Sequence, residues 1–398
     1  MSGRYRILAL ILAAQTVANV GPLGIPAIAS LIRSDMGLTL TQAGSFLSAY
    51  YIGPILMSMP AGALADRWGV KPMLILGQAV IALGLVAVAG SPSYGVLILL
   101  LVFAGFGYGM LNPTSTKAVM AWFPPHQRAT VVGLKQVGLP FGGVLGAAIL
   151  PALALAVGWR SAVLVAAGLI AAGAVASMLV YHDAPDAAPM PTGPGEKSPV
   201  SAVLLNRDLW LVAVSTLVFA GMQTVWMAFL VLYLQGAVGL GLLSASRYLA
   251  LAQLGGMAGR VAFGVLSDRT FGGRRRAPLA IAGCGSALCS VAIAYTGAGA
   301  SALWLTLLAL VFGFVGIGWN GVQHTLMAEL AGARSAGTAV GLGLAVSSLG
   351  VTIGPPIFGA CVEWAGGFRG PWIGLAVMMG AGLLLLALVR ERPPGLGR

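Results

Sequence analysis

Gly62-Ala63-Leu64-Ala65-Asp66-Arg67-Trp68-Gly69-Val70-Lys71 joins two long apolar stretches. It concentrates one acid, two basic residues and two glycines into a short polar connection. A second copy follows at Gly264-Val265-Leu266-Ser267-Asp268-Arg269, its acid 202 residues after Asp66. A glycine-rich strip repeats as well. Phe103-Ala104-Gly105-Phe106-Gly107-Tyr108-Gly109 is echoed 209 residues later by Phe312-Gly313-Phe314-Val315-Gly316-Ile317-Gly318. Two strips recurring at nearly one offset mark an internal duplication, the pattern of membrane proteins built from two related bundles.

The apolar stretches on either side are long enough to cross a bilayer, which takes roughly 20 mostly apolar residues. Twelve such spans are expected. The first six lie at 7–32, 41–65, 72–90, 94–121, 129–155 and 161–181. The second six lie at 209–235, 243–267, 278–298, 302–330, 336–364 and 371–389. Composition agrees. Of 398 residues 58% are hydrophobic and only 8% charged, against roughly 25% charged in a soluble domain. Mean hydropathy is +0.93. A soluble enzyme, a disordered chain and a disulfide scaffold are excluded. The 58 glycines suit helices that pack closely in lipid. The expected fold is all-α and integral to the membrane: twelve helices in two pseudo-symmetric six-helix bundles.

The first span follows Arg4 and Arg6 as a signal peptide would, but its apolar stretch is too long for a signal core, so a retained helix is expected. Between the bundles the chain turns polar and proline-rich, with Asp183, Pro185, Asp186, Pro189, Pro191, Pro194, Glu196 and Lys197. The expected organisation is a bundle over 1–181, a cytoplasmic linker over 182–206, and a bundle with a short tail over 207–398.

The net charge of +12 is read as loop charge that orients helices, so no nucleic-acid partner is expected. Placing the N-terminus inside puts fifteen basic residues on the cytoplasmic side. Arg33, Arg160, Arg247 and Arg369, four in all, fall on the other. Both termini are therefore expected in the cytoplasm, and the protein in the cytoplasmic membrane. Cys284, Cys289 and Cys361 lie in apolar runs without metal-ligand spacing. No Walker loop and no dinucleotide fingerprint in the required context occurs. Neither cofactor, metal nor enzymatic activity is expected, and the chain is expected to be a monomer.

The Gly62–Lys71 loop is similar to the signature loop of the major facilitator superfamily, with Gly62, Asp66, Arg67, Gly69 and Lys71 at the marked positions. The resemblance implies a secondary transporter that works by alternating access, with a cavity between its two bundles. It also implies that the loop latches the cytoplasmic side in one state. The plainer alternative is a loop that only sets topology. Asp268 and Arg269 form a weaker second copy, because Gly272-Gly273-Arg274-Arg275-Arg276 departs from the signature.

Ionisable groups inside hydrocarbon are costly and are functional candidates by default. All ten acids fall in loops, the linker, the tail or helix ends. This counts against a transporter that cycles a buried carboxylate. Two cations do lie within spans. Lys135 is seven residues past Arg128, about 10 Å along a helix, and Arg260 is eight before Asp268, about 12 Å. Two deep cations without a deep acid call for an anion, and the cargo can supply it. Arginine offers a fork that matches a carboxylate; lysine offers a movable point charge. Gly259-Arg260-x-x-x-Gly264-x-x-x-Asp268 resembles span eight of the monocarboxylate porters and oxalate:formate exchangers, and the resemblance makes Arg260 the carboxylate ligand. The lysine of the oxalate exchangers has no counterpart in Gly341–Ser348. The alternative for Arg260 is a structural pair with a loop carboxylate. Lys117, near a span end, is expected to snorkel.

Asn320, Gln323 and His324 share a helical face by their spacing. His324 either couples a proton to the cargo or simply bonds a neighbouring helix. Asn112, Gln136, Tyr50, Tyr51, Gln223 and Trp226 complete the candidate cargo site, each with helix packing as its alternative. Gly138-Leu139-Pro140-Phe141-Gly142-Gly143 resembles an antiporter motif with its proline shifted by one. Two functions follow. One is a carrier of mono- or dicarboxylates by proton symport or anion exchange. The other is a proton-coupled exporter of drugs or metabolites.

Overall fold

The computed structural model describes residues 3–123, 131–132, 134–183, 203–332 and 336–391. Most of the linker lies outside the described residues, as do Arg128, Lys197 and the end of the tail. The helices are α1 (Gly3–Met36), α2 (Leu40–Trp68), α3 (Val70–Ala89), α4 (Tyr94–Trp122), α5 (Gly138–Val157) and α6 (Trp159–Val180). After the linker come α7 (Arg207–Gly236), α8 (Leu242–Val265), α9 (Arg276–Ala294), α10 (Ala302–Phe312), α11 (Asn320–Ala331), α12 (Ala336–Ala365) and α13 (Arg369–Ala387). Among the described residues there is no strand. Among the described residues eleven helical stretches are long and apolar enough to cross a membrane. The 29-residue α2 is a further long helix.

Ends are set by local chemistry. The Thr39 hydroxyl accepts the Gln42 N–H and the Gln42 side chain accepts the Thr39 N–H, which satisfies two otherwise orphaned donors at the start of α2. Asn206 and Ser301 cap α7 and α10 through their side chains. Gly69, at φ 89°, ends α2 and begins α3 without an intervening loop. That conformation favours glycine, which explains the residue's place in the signature loop.

The span over 302–331 is not one regular helix. Gly313–Ile317 forms a π turn between α10 and α11. A second π turn, Leu266–Thr270, follows α8 and carries Asp268 and Arg269. Such turns break the regular ladder and are frequent at functional sites.

The chain divides into two compact units, Met1–Pro191 with Gly241–Ala250, and Thr192–Leu240 with Leu251–Arg398. Their internal pairings repeat. In the first, α1 lies against α5, and α3 against α4 and α6; in the second, α7 lies against α12, and α9 against α13. The repeated glycines make these approaches possible. A Cβ on Gly107 would drive into the Gly77 backbone of α3, and one on Gly313 into the Ala252 backbone of α8. Likewise, a Cβ on Gly142 would sit 2.8 Å from the Asn19 side chain of α1. The glycines resembling an antiporter motif are thus the contact face of α5 on α1.

Candidate functional site

In the N-terminal unit the site is built around Lys135, just ahead of α5. Its side chain is fully buried. The ammonium donates to the Asn112 side-chain oxygen at 2.9 Å and its carbonyl at 3.2 Å, to Ser115 Oγ at 3.0 Å and to Thr116 Oγ1 at 2.8 Å. All these partners come from one stretch of α4, where Pro113 interrupts the donor ladder. All are neutral oxygens. They solvate the ammonium by dipoles without cancelling its charge. The network continues to α1, because Gln15 Nε2 donates to Ser115 Oγ at 2.9 Å and Asn19 Nδ2 donates to the Gln15 carbonyl at 2.7 Å.

Tyr50 and Tyr51 of α2 meet Tyr108 of α4, with ring centroids 5.7–6.1 Å apart. The Tyr50 hydroxyl is buried without a hydrogen-bond partner among the described residues. Gln136 is half-buried beside Lys135 in the chain.

In the C-terminal unit the site surrounds the π turn. The Gln223 carbonyl oxygen accepts the Trp319 indole N–H at 3.1 Å and the Asn320 amide at 3.3 Å. Trp319 and Asn320 also donate to the Gly316 and Ile317 carbonyls, both 3.0 Å away, which the π turn leaves available. Gln223 therefore ties α7 to the broken span. On α11, Gln323 Nε2 and His324 Nδ1 are buried without a hydrogen-bond partner among the described residues. Arg260 of α8 is half-buried and lies within electrostatic reach of His324. Trp226 is placed differently. Its ring stacks on Phe312 at 3.8 Å, its indole donates to Ser290 at 2.9 Å, and it packs within the unit's core.

The loop residues form a third group. Arg67 is exposed and Lys71 half-buried; Gly62 falls within α2, and the Asp66 side chain lies outside what the structure describes. Lys117 donates to the Ala65 carbonyl at 2.8 Å, a cation at the C-terminal end of α2 where the helix dipole favours it. Beyond the second π turn, Arg275 bonds the carboxylate of Asp268, Ser267 Oγ at 2.8 Å and Glu329 of α11 at 3.0 Å. Burial lowers the Arg275 pKa, but its bonds to Glu329 and Asp268 outweigh burial and hold it above the ordinary value. Arg269 is exposed.

Sequence reasoning did not find Ser115, Thr116, Trp319 or Arg275. Arg275 is hidden in a run of three arginines. Ser115 and Thr116 follow Asn112 at helical spacing, which was a usable signal. No group of three or more potential metal ligands occurs among the described residues.

Residues 8–350 match the family described as the Major Facilitator Superfamily. The chain belongs to the major facilitator superfamily. As a superfamily transporter it is a multi-pass membrane protein. It is 27% identical to the probable sulfoacetate transporter SauU of Cupriavidus necator, over 96% of this chain and 92% of that one. It is 26% identical to a hexuronate transporter of Bacillus subtilis, over 91% and 89%. A bacterial homologue of the human lysosomal transporter Spinster shares the superfamily fold at a TM-score of 0.80 and 17% identity, over 98% and 97%.

Proposed function

We propose that this transporter carries a small organic anion, a mono- or dicarboxylate or a related acid, by alternating access. The observation that carries the reading is the environment of the two cations within spans. Among the described residues Lys135 is held by neutral oxygens, and Arg260 lies within electrostatic reach of His324. No acid of the sequence falls at mid-span. Net positive charge in a low-dielectric span is expensive, and an anionic cargo relieves it.

Arg260 is the proposed carboxylate ligand, because its fork can bond both oxygens. Lys135 is the proposed second positive charge, with Asn112 and Gln136 beside it. Gln323 and His324 offer buried polar atoms for the cargo's remaining oxygens, and Tyr50 offers a hydroxyl. Gln223 and Asn320, bonded to each other beside the π turn, complete the proposed set. The names of the two relatives, sulfoacetate and hexuronate transporters, support an acid as cargo.

Coupling follows by proton symport or by anion exchange, with His324 as the proton site in the first case. The basic-residue count supports cytoplasmic termini and the cytoplasmic membrane, with a bundle over 1–181 and another over 207–398. The signature loops are the proposed latches of the cytoplasmic side. The exporter alternative drew on the α5 glycines, which contact with α1 explains.

A thermal-shift screen of the purified protein against organic acids and their neutral amides tests the cargo class. Acids should stabilise the protein and the amides should not. Equal effects from both would contradict the anion reading.

A further inference from the structure

A slot of about 310 Å³ opens between α9 and α13 within the C-terminal unit, lined by none of the candidate cargo residues. Ala277, Ala280, Leu383, Leu386 and Ala387 form its apolar wall. Arg274, Arg276 and Glu391 stand at its polar end. The spans stop at this level, since α9 begins at Arg276 and α13 finishes at Ala387.

The charged groups are not equally available. Glu391 accepts the backbone N–H groups of Arg275 and Arg276, so its charge is spent on the first turn of α9. Arg276 donates to the Leu386 and Ala387 carbonyls at 3.1 and 2.6 Å, which fixes its guanidinium over the end of α13. Its remaining N–H groups have no acceptor among the described residues and can take another. Arg274 is exposed at the mouth. Two guanidinium groups against one engaged carboxylate leave net positive charge.

The apolar wall is alanine on α9, and leucine with one alanine on α13. Ile281 and Leu384 on the same two helices, and Leu388 just past α13, are exposed apolar side chains, as lipid-facing residues are. A fixed cationic end above an apolar groove at a span terminus matches one kind of molecule, with a phosphate on top and a hydrocarbon chain beneath.

We propose that this slot binds an anionic phospholipid. Its phosphate bridges Arg274 and Arg276, and one acyl chain lies along Ala277, Ala280 and Leu383. Charge complementarity selects the headgroup and the small alanine side chains make room for the chain.

The test uses the full chain purified in detergent, with bound lipid counted by native mass spectrometry. Dioleoyl-phosphatidylglycerol and dioleoyl-phosphatidylcholine are the lipid probes, and inorganic phosphate is the free-ion control. Arg274→Gln removes charge from an exposed position, and Ala280→Leu fills the groove without touching charge. Phosphatidylglycerol should be retained by the unaltered protein, with phosphatidylcholine and phosphate retained about tenfold less or more weakly still. Each variant should lose most of that retention. Equal retention of phosphatidylcholine or phosphate would overturn the proposal. So would unchanged phosphatidylglycerol retention in either variant.

Discussion

The Lys135 ammonium donates to the side-chain oxygen of Asn112 at 2.9 Å. Asn112 also supplies its own carbonyl, so one residue of α4 provides two of the ammonium's four acceptors. Asn112→Ala removes the better-placed one from a buried charge. It should lower stability by about 1–3 kcal/mol, as loss of a partner to a buried donor does. A thermal melt in detergent measures it.

Lys135→Met separates charge from packing. Methionine fills similar space, and Ser115 and Thr116 still have their own bonds to the Asn112 carbonyl. The variant should stay folded with a melt near the unaltered value, because removing a buried charge whole costs little. Its anion uptake should fall sharply. Uptake at the unaltered rate would reduce Lys135 to a fastener between α4 and α5.

Gly313 sits where a side chain would enter the Ala252 backbone. Gly313→Leu should destabilise the C-terminal unit by about 1–3 kcal/mol or more, the usual range for overpacking. Gly321, with open space at its Cβ position, is the control. Gly321→Ala should melt at or above the unaltered temperature, since alanine is the better helix former.

Arg275 joins the second π turn to α11 through Asp268 and Glu329. Both acids are well exposed, so each pair should contribute only about 0.2–1 kcal/mol. A double-mutant cycle on Arg275→Ala and Glu329→Ala should show coupling of that size, shrinking as salt rises. Coupling that salt leaves unchanged would contradict the exposure argument.

The fold was largely legible in the sequence. Span length and hydropathy are local properties, and the duplicated loops around Asp66 and Asp268 carry their own register. The break at Gly313–Ile317 was not legible. Its glycines repeat Gly105–Gly109 closely, yet α4 passes through that strip as a regular helix. Beside the break Trp319 and Asn320 bond Gln223 of α7, a tertiary contact that the strip's own residues do not encode. The placing of Lys135 and Arg260 within long apolar stretches followed from counting residues. Their surroundings did not, because the oxygens around Lys135 come from another helix 19–23 residues away in the chain. Trp226 shows the same limit from the other side. An indole on a span can face a cargo or a core, and only the Phe312 stack decides where this one sits.

Arg260→Lys tests the fork by itself. The charge stays but the paired donors are lost, so KM for a carboxylate should rise about tenfold or more with the protein still folded.

The most direct measurement is uptake into proteoliposomes of a carboxylate and of its neutral amide, by the unaltered protein and by Arg260→Ala. The unaltered protein should carry the carboxylate and not the amide, and Arg260→Ala should carry neither. Carboxylate uptake by Arg260→Ala at the unaltered rate, or equal uptake of the amide, would contradict an anion recognised by its charge.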